Sequence, residues 1–252
     1  MKGAHGRTEP LPQHHHFTPL SRADDDDAMN AGQNGHNHPM LLSLVALAAV
    51  IPQTLTLTPT DDVWVYPHAS DPAGDGVLRV WGTGGRAVPA STSDLPEFSF
   101  GYLKWSLKDV PTDRNLKSAR LVLHQVPKPG FTLEQTKSAP LEARPVDAAF
   151  EERTWTYESS EKLVPPTDAK GFFGAGFPTN LQGDSVLIEI DLLKGPLDFR
   201  VSFKKALTSG TMALALATTL DMSVLGRAGI YKIYSRDEKD DKLRPRLVLD
   251  LE

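Results

Sequence analysis

The residues able to do chemistry are few and scattered. Only two histidines, His68 and His124, lie beyond the first forty residues, so a nucleophilic or metal site built on imidazole would have to use one of them. His68 follows Pro67 in a turn and His124 sits in an alternating run, settings that suit surface histidines or histidines with satisfied partners better than catalysts. The carboxylates of Glu151-Glu152 and of Asp237-Glu238 are chain neighbours, and on extended backbone neighbours point apart. General acid/base work needs convergence from different strands. There is no GxSxG, HExxH, Walker or GxGxxG pattern, and no cysteine to serve as nucleophile, thiolate ligand or disulfide partner. The expectation is a protein that is not an enzyme. Asp62, Asp71 and Asp75, with Asp61, Gly74 and Gly76 nearby, could give oxygen ligands to a structural calcium ion, the one cofactor in view. The run Asp71-Pro72-Ala73-Gly74-Asp75-Gly76 lacks the glutamate that closes a calcium loop, and turn-forming aspartates explain the same pattern.

The elements that would position these groups read as strands. After Pro52, short apolar runs with period-two alternation are separated by Pro, Gly, Asp and Ser clusters, the pattern of half-buried antiparallel strands. Strands are predicted at Asp62 to Tyr66, Val77 to Trp81, Phe98 to Leu107, Leu116 to Val126, Leu141 to Val146, Thr154 to Tyr157, Ser185 to Asp191, Met212 to Thr218, Ile230 to Tyr234 and Arg246 to Leu251. That number suggests two packed sheets. Alternation puts Leu103, Trp105 and Leu107 in the core with Leu121 and Leu123, and leaves Tyr102, Lys104, Arg120, Val122 and His124 on opposite faces. Met212, Leu214 and Leu216 alternate with Ala213, Ala215 and Ala217, as in a central strand with close neighbours on both faces. A short helix fits only within 191–207, where Leu193, Leu197 and Val201 recur at helical spacing and Gly195-Pro196 interrupts. The insert from Glu158 to Gln182 carries Phe172, Phe173 and Phe177, and reads either as a loop packed over a sheet edge or as a lid over a ligand.

The first part of the chain differs. Residues 1–39 hold six of the eight histidines and the acidic run Asp24 to Asp27, with few apolar residues. They read as a disordered leader or a mis-assigned start, with a histidine-rich metal-binding tail as the alternative. From Met40 to Ile51 the run MLLSLVALAAVI is uncharged, shorter than the ~20 residues of a membrane span and of signal-peptide length, with Ala46-Leu47-Ala48 as a small-x-small cleavage site. Residues 40–52 therefore predict export, to a secreted or cell-surface location, with no stable span in the mature protein. The chain of 252 residues has 27 Lys+Arg against 32 Asp+Glu, which argues against nucleic acid as a partner.

Three blocks resemble the DNRLRE-type domain, also grouped as carbohydrate-binding module family 96. Asp62-Val63-Trp64-Val65-Tyr66 followed by Leu78-Arg79-Val80 looks like its opening strands. Tyr102 to Leu107 and Lys117 to Leu123 are similar to its basic-aromatic strand and its S-A-x-L-x-L strand. Tyr234-Ser235-Arg236-Asp237-Glu238, then Arg244-Pro245-Arg246-Leu247-Val248-Leu249, looks like its S-R-E turn and R-P-x-L-x-V closing strand, and Thr154-Trp155 matches a T-W segment. The resemblance implies a jelly-roll sandwich over residues 60–252 in an exported protein, with acidic, uronate-containing polysaccharide as ligand. Arg79, Lys104, Arg120 and Arg236 would then pair with carboxylates while Trp81, Tyr102 or Tyr234 offers a ring face to the sugar. The competing expectations are a structural or adhesive envelope protein that self-assembles through its edges, and a jelly-roll lyase or hydrolase whose acid/base set is not visible in the sequence.

Overall fold

The computed structural model describes residues 51–66, 69–71, 76–82, 98–155, 170–221 and 225–252. The leader 1–39, the apolar run up to residue 50, His68, Asp75 and the side chain of Asp71 lie outside the described residues. The elements are β1 (Gln53–Leu57), β2 (Asp61–Tyr66), β3 (Ala69–Asp71), β4 (Val77–Val80), β5 (Phe100–Ser106), β6 (Leu116–Gln125), α1 (Leu133–Ser138), β7 (Leu141–Pro145), β8 (Gly174–Gly176), β9 (Val186–Asp191), α2 (Phe199–Ser209), β10 (Thr211–Ala217), β11 (Tyr231–Tyr234) and β12 (Arg246–Leu251). They form two six-stranded sheets, one in the order β1-β12-β6-β11-β4 with β9 also on β6, the other β3-β2-β5-β10-β7-β8. All strand pairs are antiparallel. From β4 to β7 each connection passes to the other sheet, and β9, β10 and β11 continue the exchange, which gives the jelly-roll sandwich expected.

The core lies between the sheets and follows the alternation. Leu103, Trp105 and Leu107 of the β5 region and Met212, Leu214 and Leu216 of β10 pack against Leu121, Leu123, Ile188, Ile190, Leu247 and Leu249 of the first sheet. β10 is central, between β5 and β7. Its alanine row faces a second apolar cluster on the outside of the second sheet, where residues 146–155 leave β7 as a strap and lay Phe150 and Trp155 over Val63, Val65, Phe100, Tyr102, Ala213, Ala215 and Ala217. The small alanines leave room for the strap, and burying a side chain such as Phe150 is worth roughly 1.5–3 kcal/mol.

The structure differs from the sequence reading at several elements. β1 lies before the start predicted for the sandwich and pairs with β12 over its whole length. Thr154 and Trp155 belong to the strap and not to a strand. The helical stretch begins only after Gly195-Pro196, where the Asp198 side chain accepts from Arg200 N–H at 2.9 Å, and it ends at Gly210 in the left-handed region, φ 75°. α1 has no counterpart among the predicted elements, although Thr132 and Gln135 cap each other reciprocally at its start. In the insert, Phe173 is buried against Phe199 in a T-shaped pair at 5.2 Å, while Phe177 is exposed.

Candidate functional site

A cleft of about 320 Å³ lies at the far end of the strap, lined by Asp61, Lys104, Glu151, Glu152, Arg153 and Arg236. Four parts of the chain build it. Asp61 opens β2 and is the cross-strand partner of Lys104 in β5, the strap supplies Glu151 to Arg153, and Arg236 follows β11. The adjacent acids of the strap diverge in a turn closed by the Thr154 N–H donating to the Glu151 carbonyl at 3.1 Å: Glu152 is buried and Glu151 exposed.

Most charges here are already paired. Lys104 Nζ is 3.1 Å from Asp61 Oδ2, donates to the Phe150 carbonyl and stands 5.1 Å from the Phe150 ring centroid. Arg236 Nε donates to Glu152 Oε2 at 2.7 Å, and its Nη1 donates to the Thr60 carbonyl. The Arg236 backbone N–H donates to Asp62 Oδ2 at 2.6 Å, while the Asp62 N–H donates to Glu152 Oε2 at 3.1 Å. Strand β2, the strap and the turn after β11 are thus tied by one network around two buried carboxylates. Burial drives the Asp62 carboxyl up to about 7, helped by the negative Glu152 and Asp237 and opposed by the Arg236 N–H and charge. Burial also acts on Asp61, but the hydrogen bonds from Lys104 and Thr60 win and hold it below the usual carboxylate range. Arg153 is exposed and has no ion pair among the described residues.

The sequence candidates divide into three groups. Lys104 and Arg236 come together in the cleft, 132 residues apart in the chain. Arg120 and Tyr234 lie on the outer face of the first sheet, where Arg120 pairs with Glu189 across β9 at 3.4 Å. Arg79 has the same parity in β4, but its guanidinium sits 5.0 Å from the Trp64 ring centroid. Tyr102 and Trp81 require correction as sugar platforms. Tyr102 does point outward from the sheet, yet it is 0% exposed because the strap covers it, with Phe150 and Trp155 edge-on at 5.7 and 5.9 Å. Trp81 lies past the end of β4, bridges to Ser99 and turns into the core against Trp64 at 6.1 Å. As a calcium ligand Asp62 is already engaged by the Arg236 N–H, and among the described residues no three His, Asp or Glu side chains cluster to hold a metal ion. His124 is buried in β6, where burial and the nearby Arg246 charge lower its pKa.

Arg153 and Glu152 were missed as site residues. The signal was present in the charged triplet Glu151-Glu152-Arg153 immediately after an apolar Phe150, which marks a chain segment leaving a buried surface. A larger groove of about 620 Å³ runs between α2 and the strap, with Lys205 and Asp147 as its charged side chains among small and apolar ones. Among the described residues no helix is long and apolar enough to cross a membrane. No family model matches the chain, and no curated protein matches it.

Proposed function

We propose that the protein is a non-catalytic, exported module that binds an acidic polysaccharide, with a sugar carboxylate seated in the cleft between Lys104, Arg153 and Arg236. The observation that carries this reading is that three cations from β5, the strap and the turn after β11 line one cleft of about 320 Å³ together with the acids Asp61, Glu151 and Glu152, and that one of the cations, Arg153, has no ion pair among the described residues; the volume is at the small end of the roughly 300–1,000 Å³ range of ligand sites. Arg153 would receive the carboxylate first, since Lys104 and Arg236 are engaged by Asp61 and Glu152. A charge-assisted hydrogen bond of this kind contributes about 1.5–3 kcal/mol. Export is supported by the uncharged run from Met40 to Ile51, and the ligand class by the blocks that resemble carbohydrate-binding module family 96.

Retention on immobilised uronate-containing and neutral polysaccharides tests the reading. The parent is expected to bind the acidic polymer more tightly, with affinity falling as salt rises. Arg153→Ala is expected to weaken binding at least tenfold with an unchanged melting curve, because an exposed cation adds little to folding. Retention of no polysaccharide by the parent, or equal retention by Arg153→Ala, would count against the proposal.

A further inference from the structure

An open strand edge offers free N–H and C=O groups to another strand unless it is short, charged, interrupted or covered. Among the described residues most edges of this sandwich are managed in one of these ways. β4 is bridged to the start of β5 through Trp81 and Ser99. β8 lies so close along β9 that a Cβ on Gly174 or Gly176 would stand 2.1 Å from the Asp191 carbonyl oxygen or 2.3 Å from that of Glu189. β3 has only three residues. β1 is different: it has five residues, ladders to β12 without a bulge, and ends the sheet. From Ile51 to Thr60 there is no charged residue, and the two prolines, Pro52 and Pro59, flank the strand without entering it. Leu55 and Leu57 are only half-buried, and Ile51 just before the strand is 76% exposed.

We infer that β1 is the docking edge for a second copy of this chain, pairing antiparallel with β1 of that copy around a two-fold axis at Leu55. The backbone groups of β1 that turn away from β12 would meet their counterparts, and the two six-stranded sheets would become one. The strand is complementary to itself in this register. Leu55 opposes Leu55, and Gln53 opposes Leu57, on the core side, while Thr54 opposes Thr56 on the outer side, so that the apolar and hydroxyl rows each continue across the axis. No like charges meet, and a charged foreign strand would find no counter-charge on β1. Such an interface is isologous and closes at two copies. Two five-residue strands cover less than the ~1,600 Å² of a standard stable interface, so the pairing is reversible and rises with concentration.

Sedimentation equilibrium of the full chain over a wide concentration range tests this directly. The parent is expected to pass from monomer to dimer, and Thr56→Lys, on the outer face of the edge, to keep its fold and stay monomeric. Because the chain has no cysteine, the single variant Leu55→Cys is expected to form a disulfide-linked dimer on mild oxidation far faster than Asp237→Cys on the distant turn, and this comparison decides the matter if Thr56→Lys misfolds. The inference is overturned by a parent that stays monomeric throughout, by growth past the dimer, by a dimer that survives Thr56→Lys, or by equal cross-linking at the two positions.

Discussion

The buried carboxyl of Asp62 makes stability depend on pH in a direction opposite to ordinary acid unfolding. Its pKa rises from 3.8 to about 7 because the side chain, 3% exposed, has left water. The folded protein therefore keeps a proton that the unfolded chain gives up near pH 4. This contribution is fully present below pH 3.8 and disappears as pH rises to about 7. At 1.36 kcal/mol per pH unit, the gap corresponds to about 4 kcal/mol, of which about 3 falls between pH 5 and pH 8. His124 acts the other way: its lowered pKa makes stability rise with pH up to its ordinary value of 6.5, so the net profile of the parent mixes the two. Asp62→Asn isolates the carboxyl. The amide oxygen can still accept from Arg236 N–H, and no proton is lost. Urea unfolding of both proteins at pH 5 and pH 8 should show a stability difference that moves by about 3 kcal/mol in favour of the variant at the higher pH. A difference that stays the same at both pH values would refute the assignment and mean that Arg236 keeps Asp62 ionised throughout.

Three further outcomes are expected. Trp105→Ala, at a fully buried core position, should lower stability by about 3–5 kcal/mol in urea titration, through lost transfer energy and the cavity left behind. Arg236→Ala removes the guanidinium from Glu152, and thermal and urea melts should show a loss of about 2–3 kcal/mol, less than for a wholly buried pair because Arg236 is 33% exposed. Gly174→Ala places a Cβ against the Asp191 carbonyl, so β8 must part from β9; a loss of about 1–3 kcal/mol is expected, and an unchanged melting temperature would show that the seam between these strands is loose.

Parity along a strand tells which face a side chain takes, but not whether that face meets solvent. This is why Leu103, Trp105 and Leu107 were legible as core, while Tyr102 was read as surface: its direction was right, and the strap that covers it comes from residues 146–155, far away in sequence. The alternating alanines of β10 were the local sign of that cover, since small residues on an outer face make room for a second layer. Trp81 misled for a different reason. Alternation holds only while the chain is a strand, and β4 ends at Val80. The cleft was half legible. Lys104 and Arg236 were identified, but the pairing of Arg236 with Glu152 joins residues 84 positions apart and its bond to Asp62 joins residues 174 apart, while Lys104 meets Asp61 only because β2 and β5 are neighbours in the sheet. No local pattern encodes those. β1 shows its Leu-Thr alternation plainly, yet its position beside an apolar run concealed it.

The pairing of β1 with β12 has a mechanical consequence. Gln53 stands opposite Leu251, so the two ends of the sandwich leave it side by side at the same end of one antiparallel pair. Tension between these ends loads the ladder from Gln53 and Leu251 inward, peeling one rung at a time instead of straining all of them together. The first event under load is then the release of β1 alone, at low force, with the core strands β5, β6 and β10 still in place. Handles at Thr58 and Glu252 would pull the same two strands lengthwise past each other, and that geometry should give way only at a distinctly higher force in single-molecule stretching. Equal rupture forces in the two geometries would mean that β1 is held by its half-buried leucines more than by its ladder.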